Sequence, residues 1–183
     1  MRATHTLPLA AAILLAACGG GDADADGDGA VSGEEIAAEA EGMVQPEPGQ
    51  YTATLELLEF DAPGMPEEAK TQMQQIFAQG LSEGNSFCMT EADAAENGPE
   101  QMVKNLAESD CTMNSFNVSG NTVVADMQCP GQTGAGVSKV HMEGQMRTDG
   151  STMTMDMSQE MPNVGATTMK MRVTSKRTGD CAA

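Results

Sequence analysis

Apolar and polar residues alternate through most of the second half of the chain, and this period of two predicts β-strands. The alternating runs are residues 50–60, 112–119, 121–129, 138–148, 151–160 and 167–177. Gly120 separates two of these runs, and Asp149-Gly150 separates another two as a strong hairpin signal. The pattern predicts an antiparallel, meander-like sheet of roughly five to seven strands.

Helical spacing replaces this alternation between residues 61 and 111. Pro66 is expected near the start of a helix that runs to about Leu81, because apolar residues recur on one face of that stretch. A second helix is expected after Thr90, an N-cap candidate with Asp93 three residues later, and Asn97-Gly98-Pro99 interrupts it. Its second half carries Met102, Val103 and Leu106. One or two helices packed on one face of the sheet give an α+β fold.

The N-terminus divides the chain into a leader, a linker and the main domain, at residues 1–17, 18–48 and 49–183. The first part has the features of a cleavable export signal, with an apolar run too short to span a bilayer. Leu15-Ala16-Ala17-Cys18 resembles the lipobox of bacterial lipoproteins.

The lipobox resemblance implies a lipid on Cys18, cleavage before it and stable attachment to a membrane. Gly19, rather than Asp, follows the cysteine. By resemblance to Gram-negative lipoproteins, this implies the periplasmic face of the outer membrane. The alternative is an ordinary signal peptide with a chance cysteine at position 18.

Charge restricts the partners of the chain. The net charge is −18, and cleavage after residue 17 removes one of nine basic side chains but none of the 27 acidic ones. So acidic a surface repels phosphate backbones and anionic headgroups. We therefore expect no nucleic-acid partner, and membrane attachment through the lipid on Cys18 rather than through a basic patch. The protein or ligand partner of the main domain is not identified by composition.

The acidic linker contains a calcium-loop pattern. Residues 24–35 fit the 12-residue loop of EF-hands, in which oxygen ligands recur at fixed positions. The predicted calcium ligands are Asp24, Asp26, Asp28, Ala30 through its carbonyl, Ser32 through a water, and Glu35 through both oxygens. Gly29 at position 6 permits the sharp turn, and Val31 at position 8 is the apolar residue that such loops pack on a partner.

Two parts of an EF-hand are missing around this loop. Only Gly19 to Ala23 separate it from Cys18, so there is no entering helix, although Glu34 to Glu41 can form the exiting helix. The sequence also contains no second hand for Val31 to pair with. We therefore expect weak binding, with a dissociation constant of about 10⁻⁴–10⁻³ M. The alternative is an inert acidic tether.

Four cysteines remain when Cys18 is assigned to lipid, and an even number in an exported chain predicts two disulfides with three possible pairings. None has the Cys-x-x-Cys spacing of a zinc or redox site. Cys111 and Cys129 are equally distant from Gly120, so a three-residue hairpin loop there brings them face to face. We therefore favour Cys111–Cys129 and Cys88–Cys181.

Several short motifs recur in the order typical of one family. They are Pro48-Gly49-Gln50-Tyr51, Pro63-Gly64-Met65-Pro66, Phe87-Cys88-Met89-Thr90, the spaced Cys111 and Cys129, and Gly179-Asp180-Cys181. Together they resemble a family of small proteobacterial envelope proteins catalogued as domain of unknown function 3617, over nearly all of residues 49–181. The family has no known activity, so the resemblance implies an envelope location and disulfides but no reaction.

Methionine offers an alternative function. Met153-Thr-Met155-Asp-Met157 and Met169-Lys-Met171 look like the Met-x-Met runs of periplasmic proteins that hold Cu(I) through thioethers. However, these methionines share a strand face with Val140 and Val173, which predicts ordinary core packing.

Catalysis has little support in the sequence. A nucleophile–histidine pair would have to use His141, and no nucleophile motif accompanies it. We therefore expect a non-enzymatic protein with no catalytic residues.

Overall fold

Seven antiparallel strands form one sheet in the part of the chain that the structure describes, which confirms the predicted α+β class. The computed structural model describes residues 29–82, 84–96, 110–131 and 136–182. The strands are β1 (Gly49–Asp61), β2 (Asn85–Met89), β3 (Thr112–Ser119), β4 (Thr122–Cys129), β5 (Ser138–Arg147), β6 (Gly150–Met161) and β7 (Gly165–Gly179). The helices are α1 (Gly33–Ala40), α2 (Glu67–Ser82) and α3 (Glu91–Glu96).

The sheet is a meander to which the first strands are added at one side. Its order is β2-β1-β7-β6-β5-β4-β3, so β3 to β7 pair consecutively and β1 pairs with β7. The edges are β2 and β3. Disulfides join Cys88 to Cys181 and Cys111 to Cys129, the pairing that the sequence favoured.

The β3–β4 hairpin brings Cys111 and Cys129 opposite each other, as predicted, but its turn and register differ from the prediction. The predicted three-residue loop is wrong, because Ser119 pairs directly with Thr122 and leaves a two-residue turn. Gly120 has φ 58° at the first central position, where type II′ turns place glycine. A bulge at Asn114 then shifts the register by one residue. The two changes compensate, and the cysteines still come opposite each other.

The β5–β6 hairpin turns one residue earlier than predicted. Arg147 pairs with Gly150, so the turn residues are Thr148 and Asp149. A Cβ atom on Gly150 would overlap the backbone carbonyl of Ser175 in β7. Glycine is therefore required at this position by the close approach of a neighbouring strand, not by the turn itself.

The two faces of the sheet differ in chemistry, because side chains on a strand alternate between them. The apolar face carries, in cross-strand register, Leu55, Phe116, Val123, Ala125, Val140, Met142, Met155, Met157, Met169, Met171 and Val173. The polar face carries Ser115, Asp126, His141, Asp156, Lys170 and Arg172. The predicted grouping of the methionines with Val140 and Val173 agrees with this register.

Helix α1 packs on the apolar face above β3 and β4. Ile36 and Ala40 are 2% and 0% exposed, and they form a core cluster with Phe116, Val123 and Ala125. The helix begins and ends within one residue of the predicted exiting helix. The C-terminal half of the acidic linker is therefore part of the core of the sheet domain.

Helix α2 follows Pro66 as predicted, but its described side chains, at 67–77, bury little apolar surface. It contacts β1, while Ile76 and Met73 are 58% and 37% exposed. The helical residues of the described core cluster are Ile36 and Ala40, both in α1. Across the described ranges, we find no helix of the length and apolarity needed to cross a membrane.

Helix α3 begins at the predicted cap. The backbone N–H of Thr90 donates to Asp93 Oδ2 at 2.8 Å, and the N–H of Asp93 donates to Thr90 Oγ1 at 3.1 Å. The predicted interruption at 97–99 and the apolar residues Met102, Val103 and Leu106 lie outside the described residues.

The segment from 41 to 48 joins α1 to β1 and is fastened to the β5–β6 turn. Glu47 N–H donates to the carbonyl of Thr148 at 2.8 Å. The hydroxyl of Tyr51, a residue only 1% exposed, lies 2.7 Å from the carbonyl oxygen of Glu47 and 3.2 Å from that of Thr148. Burial raises the pKa of Tyr51, so its hydroxyl stays protonated as a donor.

Candidate functional site

The calcium-loop pattern is described from Gly29 onward. Gly29 has φ 88°, a left-handed conformation that glycine adopts without steric strain. This residue occupies loop position 6, where the EF-hand pattern places glycine for its sharp turn. The backbone at Gly29 therefore has the kind of conformation that the pattern requires.

Val31, at loop position 8, lies against the edge strand of the sheet. Its backbone N–H donates to the carbonyl oxygen of Met113 in β3 at 2.8 Å. Its side chain is 7% exposed and belongs to the core cluster of α1. The sequence predicted no packing partner for this residue, and in the structure it packs against β3. The packing of Val31 against β3 was therefore not predicted from the sequence.

Ser32 and Glu35 form a capping box at the start of α1. The side chain of Ser32 accepts the N–H of Glu35 at 3.3 Å, and Oε2 of Glu35 accepts the N–H of Ser32 at 2.8 Å. These residues are loop positions 9 and 12, so the cap turns a predicted calcium-binding carboxylate back toward the loop. The arrangement keeps Glu35 on the loop side of the helix.

A second contact holds the other end of α1 on the same strand. The backbone N–H of Val118 in β3 donates to Oε1 of Glu39 at 3.1 Å. Two backbone groups of the edge strand are therefore bonded to the segment from 31 to 39, one at each end of the helix. Apolar residues at 36 and 40, spaced by one helical turn, are a sequence signal that could have indicated this docking, although the sequence prediction did not use it.

The predicted site residues divide between described and undescribed parts of the chain. Ala30, Ser32 and Glu35 are described and lie within six residues of one another. Cys18, Asp24, Asp26 and Asp28 lie outside the described residues. Within the described ranges, no three His, Cys, Asp or Glu side chains converge as a metal-ligand group.

The methionines form a cross-strand cluster at the centre of the apolar face. Met155 pairs with Met142 on one side and Met171 on the other, and Met157 pairs with Met169. All five are partly buried, whereas Phe116 and Ala125 under α1 are fully buried. Directly opposed side chains on antiparallel strands have Cβ atoms about 4.5–5.5 Å apart. Neighbouring thioethers are therefore within reach of a common ligand.

The polar face contains a chain of hydrogen bonds centred on Asp126. Its Oδ2 accepts from Ser115 Oγ at 2.9 Å, and its Oδ1 lies 2.8 Å from His141 Nδ1. The bond with His141, with a smaller contribution from Ser115, lowers the pKa of Asp126. This cluster was not predicted from the sequence, because its residues come from three strands whose register the alternation pattern does not define.

This cluster differs from a serine hydrolase site in its connectivity. In a catalytic triad the serine bonds to histidine, which removes its proton, whereas Ser115 donates to the carboxylate of Asp126. A groove of about 620 Å³ adjoins the cluster and is also lined by Asp156 and Lys170, which pair at 3.2 Å. The groove is lined by both acidic and basic side chains, and Ser115 has no hydrogen bond to His141 that could activate it.

Comparison with known protein families agrees with the motif order described above. A family model described as "Protein of unknown function (DUF3617)" matches residues 46–181. No curated protein and no solved structure matches the chain. The match includes all seven strands, while Gly29 to Ala40 precede it. Because the match covers most of the chain, this protein belongs to the DUF3617 family of proteins of unknown function.

Proposed function

We propose that this protein is a lipid-anchored envelope protein that binds calcium through residues 24–35 and uses its sheet domain as a non-enzymatic binding or scaffolding module. The observation that carries the proposal is the geometry of the described half of the loop. Gly29 is left-handed, Val31 is packed on β3, and Glu35 is turned toward the loop by its cap. These three features suit loop positions 6, 8 and 12 of a calcium site.

Docking on the sheet changes the affinity expected for the loop. An isolated loop must order itself when calcium binds, and that lost conformational entropy weakens binding. Here the Val31 hydrogen bond and the capping box already order the second half of the loop. We therefore expect calcium to bind more tightly than the roughly 10⁻⁴–10⁻³ M range typical of unsupported extracellular modules.

The test is a calorimetric calcium titration of oxidised, unlipidated residues 19–183. Glu35→Gln is the informative variant, because glutamine can still serve in a capping box but lacks a carboxylate. Glu34→Gln is its matched control, since it makes the same charge change at the adjacent exposed residue. One-site binding that Glu35→Gln weakens at least tenfold and Glu34→Gln leaves within twofold supports the proposal. Equal binding by the two variants contradicts it.

Attachment through Cys18 is the second part of the proposal. Ten residues separate Cys18 from Gly29, which span at most about 36–40 Å when fully extended. The sheet domain would then stay close to the bilayer surface. Cys18→Ser in the full precursor is expected to move the protein from the membrane fraction to the soluble fraction. Unchanged membrane retention would contradict lipid attachment at this residue.

A Cu(I) carrier is the alternative function, and the cross-strand register of the methionines favours it. Met142, Met155 and Met171 lie side by side on three neighbouring strands. Thioethers are soft ligands that select Cu(I). A Cu(I) competition titration should then give a site tighter than micromolar that Met155→Leu weakens and Met73→Leu, on exposed α2, leaves unchanged. Binding that is weaker than micromolar would exclude this alternative.

A further inference from the structure

We infer that calcium occupancy at residues 24–35 is linked to the stability of the whole sheet domain, with β3 acting as the partner that a second EF-hand would otherwise supply. This inference rests on the proposed calcium site and concerns its regulation. The acidic linker is then not an independent tether, because its second half folds as part of the domain.

The contacts that couple the loop to the sheet are made by Val31 and by the helix α1 that follows it. The N–H of Val31 bonds to the carbonyl of Met113, and the side chains of Val31 and Met113 are both nearly buried in one cluster. Met113 is two residues from the disulfide-bonded Cys111, which fixes β3 to β4. A change at the loop therefore acts on a hairpin whose two strands are joined by a disulfide.

The contact between this segment and the sheet continues beyond Val31. Ile36 and Ala40 continue the contact along the apolar face, and Glu39 bonds to Val118 at its far end. If this segment undocks, the loop loses the support for Val31 and the sheet loses the cover over Phe116. Docking and calcium binding therefore favour each other, as linkage requires.

The expected size of the effect follows from mass action. A ligand that binds the folded state but not the unfolded state multiplies the folding equilibrium constant by one plus the ratio of free ligand to its dissociation constant. Calcium at ten times that constant should therefore raise the folding constant about 11-fold. For a domain of this size, this corresponds to a melting temperature higher by roughly 3–6 °C.

The experiment combines calorimetric binding with differential scanning calorimetry on residues 19–183, in EDTA and in saturating calcium. We expect calcium to bind and to raise the melting temperature of the wild type, and magnesium at equal concentration to raise it less. Binding without a shift in melting temperature would overturn the linkage and leave the calcium site intact. Absence of binding would overturn the proposed site and the linkage with it.

Two variants test whether docking of α1 on the sheet affects calcium binding. Glu39→Ala removes the acceptor for Val118 N–H at the end of α1 far from the loop, and Glu41→Ala is its exposed control. If docking supports the loop, Glu39→Ala weakens calcium binding several-fold although it touches no ligand, and Glu41→Ala does not. Equal affinities in folded Glu39→Ala and Glu41→Ala would show that the loop binds independently of the sheet and would refute the inference.

Discussion

The backbone N–H of Val31 and the carbonyl oxygen of Met113 are joined by a hydrogen bond of 2.8 Å. Eighty-two positions separate the two residues in sequence, and the bond connects an acidic N-terminal segment with the edge strand of the sheet. The side chains of both residues are buried in the same cluster. The start of the described chain is therefore a structural part of the domain.

Truncation of Val31 should destabilise the protein. Val31→Ala removes two buried methyl groups and is expected to lower the free energy of unfolding by about 1–3 kcal/mol. Urea denaturation of the calcium-free protein measures the change. Val137→Ala, at a residue 55% exposed, is the control and should change stability by less than about 0.5 kcal/mol. Equal effects of the two substitutions would mean that the N-terminal segment does not contribute to the core.

The capping box predicts different results for its two residues. Ser32→Ala removes the acceptor for Glu35 N–H and should cost about 1 kcal/mol of stability, as loss of an N-cap usually does. Glu35→Gln keeps an oxygen that can accept from Ser32, so its loss of stability without calcium should be smaller. Urea denaturation in EDTA compares the two. A larger loss for Glu35→Gln would contradict the assigned hydrogen bonds.

Acidification should lower the free energy of unfolding, because Asp126 becomes protonated. His141 and Ser115 lower the pKa of this carboxyl in the folded state, so the ionised form is stabilised by folding. That contribution is present above the unfolded pKa, near 4, and is lost as the pH falls through the lower folded value. Because both side chains of the Asp126–His141 pair are about half exposed, the effect should be under about 1 kcal/mol.

The measurement for this prediction is the urea midpoint between pH 2 and pH 6. Asp126→Asn should flatten the acid limb of the wild-type curve, while Glu143→Gln, on the same strand as His141, should leave it unchanged. Curves of equal slope for the wild type and Asp126→Asn would exclude the pair as a source of acid sensitivity.

Removal of the two disulfides should have unequal effects. Cys88 and Cys181 are 93 residues apart, whereas Cys111 and Cys129 are 18 apart. In the chain-entropy model the longer loop stabilises more, by about 4–5 kcal/mol against about 3 kcal/mol. Denaturation of the two double serine variants tests the order. A greater loss for Cys111→Ser with Cys129→Ser would show that local packing outweighs loop length.

Period-two alternation was sufficient to locate β4 to β7, because one face of each is apolar and the other polar. It could not locate the bulge at Asn114 or the two-residue turn at Gly120, since both depend on how β3 meets β4. The β5–β6 turn, at Thr148 and Asp149, lies one residue earlier than predicted, because its position also depends on the register of two strands. Gly150 follows Asp149 in sequence as a turn glycine would. Glycine is required at this position, however, because the carbonyl oxygen of Ser175 in β7 leaves no room for a Cβ atom.

The candidate site was predictable only in its local part. The capping box of Ser32 and Glu35 and the left-handed conformation of Gly29 depend on residues close together in sequence, so a local pattern can indicate them. The partner of Val31 and the pairing of Asp126 with His141 are tertiary features. They depend on strand order and register, which a single sequence does not encode in any short pattern.

The bonds from Val31 and Glu39 also close an edge of the sheet. An edge strand with free backbone groups can template the addition of strands from other chains, and β3 carries the apolar residues Met113 and Phe116 at its edge. While α1 is docked, that edge is shielded. Proteolytic loss of residues 29–40 would uncover it together with the apolar face beside it, and the sheet domain would become prone to aggregation.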